Sequence, residues 1–275
     1  MLGGLGLLAV GAMSMGATLR SPVERCGPDL VPLATRCCGV GQREEGQRCV
    51  GPAQRCGGLR ASEAGCVASE ERVQVPGGRL RIGPSDWEAQ GVVAVREISV
   101  AGFWLDRTEA TEERLARCVA AHACRGPAPA PGDGARAVTL PVSEARSLCA
   151  WSGGRLPRDD EWTFAAMGTR ARRYPWGDTG AVCRRAVFGL ASGPCGQGAT
   201  GPDTVGARPA GASPEGLLDL AGNVAEYTEL PDGATRRRGG SFRTSEAAGL
   251  RGWNGDSADH EGATGVRCAY DRAVD

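Results

Sequence analysis

The 275-residue chain contains no lysine; all 32 of its basic residues are arginine. That excludes a Schiff-base lysine and a phosphate-gripping loop lysine. It has two histidines, His122 and His260, too few for a three-histidine metal site within one chain. Only two asparagines occur, Asn223 and Asn254, and aromatic residues make up 5%. The 32 basic residues balance 32 acidic ones, so no net field gathers nucleic acid or an anionic membrane surface. Glycine, by contrast, is abundant at 43 residues, about twice its usual share. Few aromatics and many glycines predict turns and irregular loops in place of long helices.

Residues 1–19 carry no charged side chain, and the first charge is Arg20. The run fits a signal peptide or a membrane anchor, the one route by which this sequence would meet a membrane. Twelve cysteines follow, an even number, with no CxxC knuckle among them. Behind an apolar leader they read as disulfides formed in an oxidising, extracytoplasmic compartment. Six of the twelve fall between Cys26 and Cys66, where large apolar residues are scarce. Residues 22–70 therefore read as a small cystine-bound module that cannot fold on a hydrophobic core of its own. Adjacent Cys37 and Cys38 must find different partners.

The texture changes after residue 72. VQVPGGRLRIG reads as two short strand runs around a Gly-Gly turn, and ISVAGFWLD as one strand. Thr111-Glu112-Glu113 opens a helix running to about Ala121, and Pro141 opens a second that Gly153-Gly154 closes. Arg158-Asp159-Asp160-Glu161 opens a third with acids in its first turn, ended by Gly168. Beyond it only short strands and turns are expected. GPAPAPG at 126–132 reads as an exposed loop. Cys118 and Cys124, six apart at a helix end, are expected to pair, as are Cys183 and Cys195 across one loop.

Five ordered blocks carry a resemblance: GGRLPRDDEWTFAAMG (153–168), YPWGD (174–178), VGARPAGASPEGLLDLAGNVAEYT (205–228), RRRGGSF (236–242) and GVRCAY (265–270). Together they resemble the formylglycine-generating-enzyme-like, or sulfatase-modifying-factor, family, a variant of the C-type-lectin-like fold, over about residues 72–275. The implied fold class is α+β and irregular, with little regular secondary structure, preceded by the disulfide-rich module. The resemblance also suggests a long-range bond between Cys149 and Cys268. It implies Ca²⁺ at Asn223 and Glu226, oxygen ligands that could converge on one hard cation if the backbone curls. The alternative is that Asn223 is a turn residue and Glu226 the partner of an arginine. Trp162 reads as core, and Trp176 as either a loop anchor or a ligand wall. Arg155 is expected to fix its loop through a buried carboxylate or carbonyls.

The chemistry of that family's enzymes is missing. They resemble each other in holding copper with two thiols at the second and seventh positions past the aromatic of the GGSF block. Those positions are Thr244 and Gly249, and neither is a soft ligand. The iron enzymes of the wider family need three histidines. Asp256, His260 and Glu261 form a weak catalytic candidate, more readily read as a solvated loop or as an ion or ligand site, with Arg251 and Trp253 as neighbouring ligand-surface candidates. The reading is a non-catalytic extracytoplasmic binding or scaffold protein for an unknown protein, peptide or glycan, with copper unsupported. The alternative is a metal-dependent oxidoreductase or other modifying enzyme with a non-standard site.

Overall fold

The computed structural model describes residues 26, 30–33, 36–53, 60–62, 65–67, 71–84, 93–127, 134–190, 195, 201–255 and 262–271. Over these the chain is α+β, with short strands, three short helices and much irregular backbone. The cysteine-rich stretch forms three two-stranded antiparallel ribbons. β1 (Leu30–Pro32) pairs with β2 (Cys37–Gly39), β3 (Arg43–Glu45) with β4 (Arg48–Val50), and β5 (Arg60–Ser62) with β6 (Gly65–Val67). Two disulfides, Cys26–Cys37 and Cys38–Cys49, send the adjacent cysteines to different partners. Cys56 and the side chain of Cys66 lie outside the described residues.

β7 (Arg72–Val75) and β8 (Gly78–Ile82) flank the Gly-Gly corner as expected, but they do not pair with each other. ISVAGFWLD is likewise not one strand. It breaks at Ala101-Gly102 into β9 (Arg96–Val100) and β10 (Phe103–Asp106). β8 pairs with β9, whereas β7 pairs with β10. The physical reason is that the two corners cross backbone to backbone. A Cβ at Gly77 would stand 2.4 Å from the Val100 carbonyl oxygen, and Gly77 has φ +74°, so only glycine fits the crossing. Both corners bend together, and each strand pair enters a different sheet.

The helices follow their start and stop signals. α1 (Glu112–Ala120) begins at Thr111, whose hydroxyl accepts the Arg114 N–H at 3.2 Å. α2 is Val142–Trp151. α3 is Asp159–Met167, and Glu161 reaches back to accept the Arg158 N–H at 2.8 Å. β11 (Ala225–Glu229) pairs antiparallel with β12 (Thr235–Arg238) and parallel with β13 (Thr264–Gly265). β14 (Ala269–Tyr270) closes the other sheet in the order β14-β10-β7.

One core cluster joins Leu80, Ile98 and Leu105 to Trp162 and Phe164 of α3; a second joins Leu115, Leu148 and Cys149 to Val266 and Tyr270. A third gathers Tyr174, Phe188, Phe242 and Leu250. Disulfides link Cys118–Cys124, Cys183–Cys195 and Cys149–Cys268. These bonds point to an oxidising environment. Most of GPAPAPG lies outside the described residues, as do residues 1–25. Among the described residues no helix is long and apolar enough to cross a membrane.

Candidate functional site

Three charged residues interrupt apolar runs near the C-terminal half: Asp219 in LLDLA, Glu226 in VAEY and Arg267 in GVRC. A charge in such a run must be paired once buried. All three are buried, and Glu226 and Arg267 have no exposed surface. Arg267 donates to both Glu226 oxygens, Nε to Oε2 at 2.8 Å and Nη2 to Oε1 at 2.7 Å. It also donates to the carbonyls of Asp106, Arg107 and Leu218 at 2.7–3.1 Å. The indole N–H of Trp162 donates to Glu226 Oε2 at 2.6 Å. One ion pair thereby ties α3, β10, β11 and the last strand region together.

Asn223 adopts φ +59°, the left-handed conformation that asparagine tolerates. Its carbonyl oxygen accepts the Asp203 N–H at 2.8 Å, and its NH₂ donates to Glu109 Oε2 at 2.7 Å. The expected Ca²⁺ pair is therefore not assembled: Asn223 is a turn residue, and Glu226 is the partner of an arginine. The guanidinium supplies the positive charge that a cation would have brought, so this donor set does not fit calcium.

Glu109 and Asp219 complete the buried network. Burial, then the charges of Asp219 and Glu226, hold the Glu109 carboxyl well above its usual range. Burial likewise pushes Asp219 up to about 6, against the pull of the Gly206 N–H and Arg267. A carboxyl raised in the folded state favours folding most at low pH, and that advantage is lost as pH climbs from the unfolded value near about 4 through the folded one. Asp219→Asn keeps an oxygen for the Gly206 N–H and suits the φ of +57° at this position. It is expected to stabilise the protein above pH 6 by on the order of 2 kcal/mol, with the gain gone near pH 4. Urea unfolding at pH 4, 6 and 8 tests this. A variant less stable at pH 8 would show that the Asp219 charge is needed there.

The positions where the family's thiols would stand are neighbours. A Cβ built on Gly249 would lie 2.6 Å from Thr244 Cγ2. Thr244 Oγ1 accepts the Ser241 N–H at 2.9 Å, and Asn254 donates to the Gly249 carbonyl at 3.2 Å. The two positions stand side by side but offer no soft ligand for Cu(I), so the residues do not fit copper. Among the described residues no cysteine is free, and no cluster of His, Cys, Asp or Glu could hold a metal.

Trp176 is half-buried, stacked on Tyr174 with ring centroids 5.1 Å apart, and its N–H donates to the Thr179 carbonyl at 2.9 Å. It anchors its own turn. Trp253 packs partly buried against the first core cluster. Arg251 corrects the sequence reading: it is 7% exposed, with its guanidinium 5.7 Å from the Trp253 ring, and so is no surface residue. It follows a short 3₁₀ turn at Ala247–Leu250 that draws the chain inward. Asp256, His260 and Glu261 lie outside the described residues. His122 sits exposed in the turn after α1.

Sequence reasoning did not single out the groove at the start of α3. It has a volume of about 710 Å³, between β9 and the β11–β12 turn, with Val100, Leu230 and Pro231 in its walls. Its charges pair off, Arg96 with Asp160 at 2.7 Å and Arg158 with Glu161 at 3.1 Å. Asp159 accepts from Arg238, Thr228 and Arg236; burial alone would raise its pKa, and these donors hold it below the usual range. Arg155 grips Glu161 through two bonds at 2.7 and 2.8 Å and fixes the loop into α3.

Comparison with known proteins agrees with this architecture. Hercynine oxygenase of Mycolicibacterium thermoresistibile is 42% identical over 93 residues, 32% of this chain and 19% of that protein. The inactive C-alpha-formylglycine-generating enzyme 2 of Bos taurus is 38% identical over 110 residues, 36% of each chain. The chain thus spans about a fifth to a third of the length of these curated relatives. PvdO from Pseudomonas aeruginosa shares the fold with a TM-score of 0.57 at 20% identity, covering 75% of this chain and 95% of PvdO. Treponema denticola variable protein 1 does so at 0.55 and 16%, covering 73% and 95%. The sulfatase-modifying factor enzyme 1-like domain matches residues 60–272. The chain belongs to the sulfatase-modifying factor enzyme 1-like domain family.

Proposed function

We propose that this chain is a non-catalytic binding or scaffold protein acting outside the cytoplasm. One observation carries the reading: the two side-by-side positions at which the family's enzymes hold copper are Thr244 and Gly249. A threonine hydroxyl neither ionises at neutral pH nor binds soft Cu(I), and glycine offers nothing. Similarity to an inactive relative supports the same direction. The disulfides support the compartment. The rigid base of three helices and paired ribbons carries irregular loops, an arrangement suited to recognition. The α3 groove falls within the range of about 300–1,000 Å³ that ligand clefts occupy, and a peptide, protein segment or glycan would lie there.

The test is metal chemistry in both directions. The native protein is expected to hold no stoichiometric copper or iron by elemental analysis, and to oxidise no cysteine-containing peptide when Cu(I) is supplied. Thr244→Cys with Gly249→Cys, reduced under anaerobic conditions, is expected to gain Cu(I) binding, read by competition with a chromophoric chelator. Copper-dependent oxidation by the native protein would overturn the non-catalytic reading. A double variant that folds yet ignores copper would show that the pocket is misplaced.

A further inference from the structure

A second, smaller cavity lies where α1, the end of α2, β7, β10 and β14 meet, beside Tyr270 of the second core cluster, and neither Thr244 nor Gly249 lines it. Its volume is about 150 Å³, and it is lined by Arg72, Asp106, Arg114, Trp151, Ser152 and Tyr270. That volume equals about five waters at about 30 Å³ each, room for a small polar group and a short stem.

Its chemistry is unbalanced toward positive charge. Two guanidiniums, Arg72 and Arg114, face one carboxylate, Asp106, a net of +1. Asp106 is fully engaged: Oδ2 accepts from Arg114 at 2.7 Å and from the Cys268 N–H at 2.9 Å, and Oδ1 from the Tyr270 hydroxyl at 3.0 Å. Arg114 is 6% exposed, and only three of its five N–H groups find acceptors among the described residues: Asp106, the Tyr270 hydroxyl at 2.8 Å and the Ser152 hydroxyl at 3.3 Å. Arg72 lies flat on the Tyr270 ring, 3.6 Å from its centroid, and gives one hydrogen bond, to the Ser152 carbonyl at 3.1 Å. Both guanidiniums line the cavity with donors to spare. Trp151, 37% exposed, adds an apolar wall.

We infer that this cavity binds a carboxylate carried on a short aliphatic stem, with the carboxylate against Arg72 and Arg114 and the stem along Trp151. Arginine forks match a planar carboxylate in two parallel bonds, and the stacked Arg72 is pre-organised for it. The ring beneath Arg72 and the carbonyl beside it fix the guanidinium before any ligand arrives. This inference is independent of the copper-pocket reading.

The experiment titrates the full oxidised chain with acetate, butyrate and sulfate at fixed ionic strength, reading the Trp151 indole N–H signal in ¹⁵N-labelled protein. Saturable shifts are expected for both carboxylates, with butyrate tighter by about fourfold per methylene that reaches the indole. Arg72→Met keeps the stem over Tyr270 and removes the donors; it is expected to weaken binding about tenfold or more. Trp151→Ala is expected to erase the advantage of butyrate over acetate. A blocked glutamyl tripeptide that binds as tightly as butyrate assigns the carboxylate to a protein partner. A peptide more than tenfold weaker assigns it to a free small acid. No saturation with either carboxylate, sulfate binding as tight as butyrate, or unchanged affinity in a folded Arg72→Met protein overturns the inference.

Discussion

Replacing Arg267 with methionine is expected to cost about 3–5 kcal/mol at pH 7, enough to leave the fold marginal. The methionine fills similar volume, so the loss is electrostatic. Glu226 would be left buried and unpaired, with Glu109 and Asp219 near it, and the carbonyls of Asp106, Arg107 and Leu218 would each lose a donor. The sign of the pH dependence follows. Arg267 pulls the Glu109 and Asp219 carboxyls down; without it they rise further, and the folded variant binds more protons than its unfolded chain over a wider span. Its stability therefore falls more steeply with rising pH than that of the native protein, and the deficit is smallest near pH 4. Adding Glu226→Gln removes the stranded charge while keeping an oxygen for the Trp162 N–H. The double variant is expected to be more stable than Arg267→Met alone. Urea unfolding of the four proteins at pH 4 and 8 measures this cycle. A deficit below about 1 kcal/mol, equal at both pH values, would show that the pair contributes little.

The partner of Glu226 lies 41 residues away, and this explains what the sequence made legible. Helix ends were readable because their determinants are local: Thr111 caps α1, Glu161 reaches back to Arg158, and Gly168 follows Met167. Strand existence was readable at VQV and ISV, but strand partners were not. Pairing there is decided by the crossing of Gly77 with Val100, a contact between segments that no local pattern encodes. The ion pair did leave a signal. An arginine between Val266 and Cys268, and a glutamate after Val224-Ala225, are charges inside buried runs, and two such charges of opposite sign call for each other. Glu109 left none, since TEAT has no apolar frame to mark burial. The pocket positions 244 and 249 came from the family motif, and their adjacency is a property of the folded turn. The Arg72–Arg114 cavity assembles from β7, α1, the end of α2 and the last strand, and no stretch of sequence displays it.

Removing the Cys149–Cys268 bond by replacing both residues with alanine is expected to lower stability by about 4–5 kcal/mol. The bond joins α2 to the segment that carries Arg267, across a sequence separation of 119 residues. In the chain-entropy model its effect lies in the unfolded state, which gains freedom when so long a loop is opened, and grows with the logarithm of loop length. Cys118–Cys124 closes a separation of 6 and supplies the internal comparison; its removal is expected to cost about 2 kcal/mol. Both cysteines of the long link are fully buried, and those of the short one nearly so, so small cavities add to each loss without reversing the order. Burial also predicts that a thiol reductant leaves Cys149–Cys268 intact in the native protein and cleaves it only after urea opens the fold, because the attacking thiolate must reach the sulfur. Calorimetry or urea unfolding of the two double-alanine proteins, with thiol labelling before and after denaturation, reads all of this. Equal losses from the two pairs would remove loop length as the cause and place the stabilisation in the native contacts around Cys149 and Cys268 instead.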